Sequence, residues 1–400
     1  MRGRVLRLAF AVLEAALAAA LAVTLVGCAS STTQKPAEKP ATAEPIKIGA
    51  IVSLTGTYAG LGDPEKKTIE MEVKRINDAG GVNGRPIEVI IEDDATDDAK
   101  AVAAASKLIE QDKVIAIIGA TGSSQTMAVR GDVNRAGIPQ VSMAGATAIT
   151  ANFDPLVFQT PWSNTIVVPF EIADMKANGI KKVGLITDTG GFGKDGREVF
   201  TAEAKKAGIE IVSDQTFNAG DTDMTAQLTN IKGSNADALV MWTAGKEAAT
   251  VVKNAKELGL TIPVYGSHGN ARKEFIEGAG DAAEGMKFGA GKVLIPEAYG
   301  EGTEGFKVAS DFISRYQTAY GAAPSTFAGH AYDALYLITE AAKRVQGDLT
   351  PAALRDEIEK TQGFVGIGGT FNFSPTDHNG LTQNDLTMYK IQNGDWQLVK

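Results

Sequence analysis

The sequence predicts an α/β protein built as two lobes of similar plan, each around a parallel sheet. Short apolar strands alternate with helical segments from Ile46 onward, and the same alternation starts again near Lys181. Forty-four glycines against fourteen prolines supply the tight turns that such alternation needs. At 400 residues, 44% hydrophobic and 22% charged, the chain is long enough for two or three domains. That balance excludes disorder and a polytopic membrane protein. The net charge of −9 speaks against generic nucleic-acid binding. A single Cys excludes an internal disulfide framework and a thiolate zinc cluster, and three scattered His speak against a His-based metal site.

The first segment reads as an address. Arg2, Arg4 and Arg7 precede a largely apolar run from Leu8 to Val26, interrupted by Glu14. The run is long enough for a membrane anchor, but its flanks fit a secretory signal peptide over residues 1–27. It ends in Leu25-Val-Gly-Cys28, which resembles the lipobox of bacterial lipoproteins, where Cys28 becomes the lipid-bearing first residue. The alternative is a retained helix with a buried Cys28. Removal of residues 1–27 takes away three Arg and one Glu, moving the net charge from −9 to −11. Residues 28–45 then form the anchor and a flexible tether, whose reach is roughly 20–25 Å.

The folded part follows in order. Ile46 to Leu54 is a buried strand run, and Asp63-Pro64 is expected to cap and open a helix that Gly80-Gly81 ends. Strands Ile87 to Glu92, Val114 to Ile118 and Gln140 to Met143 alternate with helices Asp98 to Gln111 and about Ser124 to Ala136. Lys182 to Thr187 (KVGLIT) echoes Lys47 to Val52 (KIGAIV) and opens the second set. Phe306 to Val345 reads as helical with one apolar stripe. The tail alternates like antiparallel strands with Asn-Gly turns.

Ligands of open parallel sheets bind beyond the carboxyl ends of the strands, so the loops there carry the chemistry. Gly119 to Ser124 (GATGSS) offers hydroxyls at Thr121, Ser123 and Ser124 and the free N–H groups of a helix start, a setting that favours an anion. Plain N-capping by Ser123 or Ser124 is the alternative. Ser142 to Thr147 (SMAGAT) adds a carbonyl near Gly145 and the Thr147 hydroxyl. Neither loop holds Lys or Arg, which points to a carboxylate rather than a phosphate. Gly191 to Gly196 (GFGKDG), with Asp214 beyond, matches a dinucleotide fingerprint. Three residues separate it from the strand, so its glycines read as turn formers and Phe192 as a face aimed at the cleft. His268 falls at a strand end. His330 reads as a packed or surface residue within a helix, His378 as solvated, and Trp242 as core or cleft. No catalytic constellation stands out.

Taken together, SLTGTYAGLG, INDAGGVNGRPIEVIIEDD, IGATGSSQT, GIPQVSMAGAT, DTGGFGKDG, GDAAEGM and AYDALYL resemble the branched-chain amino acid binding proteins of ABC importers, over essentially the whole mature chain. The resemblance implies a type I periplasmic-binding fold: two Rossmann-like lobes joined by three crossovers, here 46–163 plus about 292–368, and 164–291 plus about 369–400. It implies that Ser123 and Thr147 hold a ligand carboxylate, the carbonyl near Gly145 an ammonium, Leu61 a side-chain pocket and Phe192 a cover. The family's acidic partner of the ammonium falls at His268, which cannot act as a carboxylate. The expected function is capture of a small carboxylate for an ABC permease, with no cofactor and as a monomer. The ligand stays open between a hydrophobic amino acid and an aromatic or 2-oxo acid without an ammonium group. Rivals are the ligand-sensing module of a signalling receptor and, on GFGKDG alone, an oxidoreductase.

If Cys28 bears lipid, labelled palmitate is incorporated by the parent chain and not by Cys28→Ala, which also moves to the aqueous phase on detergent partition. Membrane retention of Cys28→Ala would indicate the anchor helix instead.

Overall fold

The computed structural model describes residues 44–399. The expected leader, Cys28 and nearly all of the tether lie outside them. The strands are β1 (Ile46–Val52), β2 (Ile87–Asp93), β3 (Ile117–Gly119), β4 (Gln140–Ser142), β5 (Val157–Gln159), β6 (Lys182–Asp188), β7 (Glu210–Phe217), β8 (Ala238–Trp242), β9 (Val264–Gly266), β10 (Lys287–Gly291), β11 (Phe364–Val365), β12 (Thr370–Phe371), β13 (Leu386–Gln392) and β14 (Asp395–Leu398). The first sheet is wholly parallel, in the order β2-β1-β3-β4-β5. The second runs β14-β13-β10-β9-β8-β6-β7, with β13 and β14 added antiparallel at one edge. The expected parallel two-lobe architecture is therefore present, and the tail forms the antiparallel strands its alternation announces.

Helices cover both faces of the sheets, so central strands such as β8 are buried throughout and carry no polar alternation. The KIGAIV and KVGLIT echo has a packing reason. A Cβ on Gly49 would come 2.9 Å from Leu108 Cδ1, and one on Gly184 would come 2.3 Å from Ile231 Cγ2. In each lobe the first strand of the set carries glycine where the helical segment after the next strand presses on the sheet. At the β13–β14 turn, Asn393 and Gly394 have φ of 55° and 70°, the left-handed pair that a two-residue hairpin requires.

Four expectations need correction. The first helix begins at Ala59, a turn before Asp63-Pro64, and Pro64 lies inside it. Leu61 and Gly62 N–H both bond the Tyr58 carbonyl (2.8 and 3.1 Å), and a Cβ on Gly62 would come 2.1 Å from the Ser53 carbonyl. Glycine thus lets the helix start hard against β1, which carries Tyr58 and Leu61 inward. Phe306 to Val345 is two helices, Glu304–Tyr320 and Thr326–Arg344, broken at Gly321 in the left-handed conformation. The second is buried on nearly every face, because it packs on the helix Ala59–Asp78 and on β3 and β4. Residues 369–385 stay with the first lobe rather than the second. Phe371 and Phe373 join its core beside Phe158, and β12 pairs with β11. His378 is buried, not solvated: its ring stacks on Phe158 at 4.0 Å and bonds the Val157 carbonyl at 3.0 Å.

The chain passes between sheets three times: after Gln159, after Gly291 and before Leu386. Asp333, fully buried on Thr326–Arg344, accepts the N–H groups of Ile367 (2.6 Å) and Gly368 (2.7 Å) and so fixes the segment that leads to the third passage. Asp333→Asn turns an amide N–H₂ onto one of these donors. It is expected to lower stability by about 1–3 kcal/mol, read from denaturant midpoints; an unchanged midpoint would show that Asp333 does not hold this segment.

Candidate functional site

The carboxyl ends of β1, β3 and β4 from the first lobe, and of β6, β8 and β9 from the second, converge on one small cavity. The first lobe supplies Tyr58, Leu61, Thr121 to Ser123 and Met143 to Gly145; the second supplies Phe192, Ala244, His268 and Gly269. Pro161, Phe327 and His330 complete the wall.

One wall is polar because a helix begins there. Helix Ser123–Ala136 starts after Gly122 with no side chain capping it. Its first N–H groups point outward with the positive end of the helix dipole. The capping alternative therefore does not hold: both serines are engaged elsewhere. Ser123 Oγ accepts the Ala146 N–H (3.3 Å), which leaves its own proton free to donate. Ser124 Oγ accepts the Gly191 N–H (2.8 Å) from the other lobe. Thr121 Oγ1 accepts from Ser53 N–H (3.0 Å) and donates to Glu65 Oε2 (2.5 Å), so it shapes the loop and faces the cavity without a free hydroxyl proton. Burial pushes the Glu65 carboxyl well above the usual range.

The opposite wall carries two imidazoles. His268 is 5% exposed and His330 2% exposed. Both nitrogens of His268 and Nδ1 of His330 lack a protein partner. Aromatic rings surround them: Phe192 stands edge-on to His268 at 5.1 Å, and Trp162 and Phe327 edge-on to His330 at 5.3 and 5.7 Å. Burial pushes both pKa values down to about 3, helped at His330 by the neighbouring His268. Arg272 braces the His268 loop through the carbonyls of Gly269 and Gly245.

Of the residues expected at the site, Leu61, Thr121, Ser123, Gly145, Phe192 and His268 line this cavity; Ser124, Thr147 and Trp242 do not. Thr147 turns away. Its N–H donates to Asp195 Oδ2 (2.8 Å) across the lobes, and its hydroxyl accepts the Thr165 N–H (3.2 Å). Trp242 is wholly buried behind Phe192, with Nε1–H on Asn164 Oδ1 (3.0 Å). Sequence reasoning missed Tyr58, Phe327 and His330. The GFGKDG glycines serve packing: a Cβ on Gly196 would come 1.9 Å from Trp242 Cδ1, and Asp214 pairs bidentately with Arg197. No group of three or more candidate metal ligands exists among the described residues.

The two neutral imidazoles set a pH signature. Unfolded chains protonate these His near 6.5, the folded protein only near 3, so the unfolded state binds more protons between those values. Stability from these two residues is present above about pH 6.5 and is lost as pH falls. His330→Gln is expected to lose less melting temperature than the parent between pH 7 and 4.5, the buried carboxyl groups being common to both. Parallel decline would refute the buried neutral state.

Residues 45–395 match the family model for periplasmic binding proteins. A leucine-, isoleucine-, valine-, threonine- and alanine-binding protein of Pseudomonas aeruginosa is 28% identical over 357 residues, 87% of this chain and 90% of that one. Among solved structures, the branched-chain amino acid transporter substrate-binding protein LivJ of Streptococcus pneumoniae, in complex with isoleucine, superposes with a TM-score of 0.79 at 30% identity, over 89% of this chain and 99% of that one. An extracellular ligand-binding receptor from Rhodopseudomonas palustris superposes with a TM-score of 0.83 at 28% identity, over the same shares. With its two parallel-sheet lobes, three passages between them and a match over nearly all of its described length, the chain belongs to the periplasmic binding protein family.

Proposed function

We propose that this protein is the solute-capturing component of an ABC importer, holding a small carboxylate with an apolar body between its lobes and delivering it to a membrane permease. The observation that carries this reading is the open start of helix Ser123–Ala136, facing an otherwise apolar cavity walled by both lobes. A carboxylate there meets free N–H groups, the Ser123 hydroxyl and a favourable dipole. The apolar body meets Leu61, Met143, Phe192 and Phe327. Relatives that this chain resembles are named for binding leucine, isoleucine and valine, which are small carboxylates with apolar bodies.

Closure follows from the same geometry. Hydrogen bonds already join the lobes: Gly191 N–H to Ser124 Oγ (2.8 Å), Thr57 Oγ1–H to Glu247 Oε1 (2.6 Å), and Thr147 and Ala148 N–H to Asp195 (2.8 and 3.1 Å). A ligand that touches both walls favours this arrangement over an open one, and the permease reads the closed shape. Cys28 bears the lipid anchor in this reading, and the folded part works as a monomer beside the permease without transforming its ligand. No helix among the described residues is long and apolar enough to cross a membrane.

Thermal-shift titration with apolar monocarboxylates tests the reading. A true ligand at a hundredfold excess over Kd adds about 2.7 kcal/mol. Ser123→Ala is expected to weaken its binding at least tenfold, since hydrogen bonds to charged groups contribute about 1.5–3 kcal/mol. No stabilisation by any small carboxylate, or undiminished binding by Ser123→Ala, would overturn it.

A further inference from the structure

We infer that the ligand is a 2-oxo or 2-hydroxy acid with an apolar body: its carboxylate sits on the start of helix Ser123–Ala136, and an oxygen at its α-carbon, not an ammonium group, meets His268. This rests on the reading of the cavity as a small-carboxylate site and names the chemistry of the head-group.

Adjacency comes first. A Cβ on Gly145 would stand 2.6 Å from His268 Nε2, so the imidazole abuts that glycine directly. The next residue, Ala146, donates its N–H to Ser123 Oγ. The imidazole thus touches the same loop that bonds Ser123, through residues adjacent in sequence.

Charge comes second. No Asp, Glu, Lys or Arg lines the cavity. Asp188 and Glu247 line a neighbouring opening that shares Tyr58 but neither His268 nor Ser123. There Glu247 Oε1 accepts from Thr57 and Gly220, and Asp188 Oδ1 accepts from Gly190. An ammonium group in the cavity would give up its water with no acidic side chain to pair with.

Hydrogen-bond capacity comes third. Three buried imidazole nitrogens are without protein partners, and buried polar atoms normally have one. A neutral imidazole offers one donor and one acceptor. A ketone oxygen uses the donor, and a hydroxyl uses either. The three N–H groups of an ammonium ion could use only acceptors. The rings edge-on to both imidazoles keep them dry and uncharged, so neither becomes a second cation beside the helix start.

Calorimetric titration of the purified full chain with matched pairs tests this: leucine against 4-methyl-2-oxopentanoate and its 2-hydroxy analogue, and phenylalanine against phenylpyruvate. The oxo or hydroxy member of at least one pair is expected to bind a hundredfold or more tighter than its amino counterpart. His268→Glu should shift that ratio at least tenfold toward the amino acid, whereas His268→Gln, which keeps a donor and an acceptor, should retain the original preference at lower affinity. An amino acid binding as tightly as its oxo partner in the parent chain overturns the inference and leaves the carboxylate-receptor reading standing. Absence of binding by every member overturns the inference, and the receptor reading falls with it only if no other small carboxylate stabilises the chain.

Discussion

The cavity exists because one helix begins without a cap. Helix starts normally satisfy their outward N–H groups with a serine, threonine or aspartate side chain. Here two serines stand at the first two positions, and neither does so. Ser124 is turned across the cleft to Gly191, and Ser123 receives Ala146 from the adjoining loop. The glycine that precedes them cannot substitute, and a Cβ there would come 1.9 Å from Gln125 Oε1 and 2.9 Å from the Tyr58 ring. Unmet backbone donors are therefore held where the second lobe closes over them. What the fold leaves unsatisfied at that point is what the proposed carboxylate would supply.

The rest of the wall is arranged around keeping charge out. Glu65, directly beneath the Thr121 loop, is held toward its neutral form by burial. The two imidazoles are held neutral by the same cause, with aromatic edges in place of water. Each of these groups could carry charge in solution, and each gives it up on folding. The dipole of one helix then faces little opposition within the cavity, which is why a low-polarity pocket can still select for a negatively charged head.

Much of this was legible in the chain. Strand and helix order followed from apolar runs and glycine breaks, and the Gly49–Gly184 echo marked the two halves. Ser123 and His268 were found by placing residues at strand ends. Thr147 was expected at the cleft and bonds Asp195 and Thr165 here, because a loop without regular spacing carries no signal for where one residue turns, and Asp195 is 48 residues distant. His330 was read as a packed or surface residue because one apolar stripe does not reveal that its helix is buried on nearly every face, the one that meets the cavity included. Tyr58 was missed because Pro64 drew the expected helix start forward. His378 was taken as solvated because the contacts that bury it, to Val157 and Phe158, lie over 200 residues away.

The three passages between the lobes are not independent. Asn379 bonds the backbone of Gln159, Pro161 and Ser163, tying the third passage to the first. Lys292 Nζ bonds the Asn384 carbonyl at 2.7 Å, tying the second to the third. Three strands of chain laced together at their midpoints resist shear and twist far better than three loose ones, and leave bending about a common axis as the soft coordinate. Halves hung on such a spine would swing as a book does, and a mouth opened that way would present the same outline each time, a regularity that a docking partner could depend on.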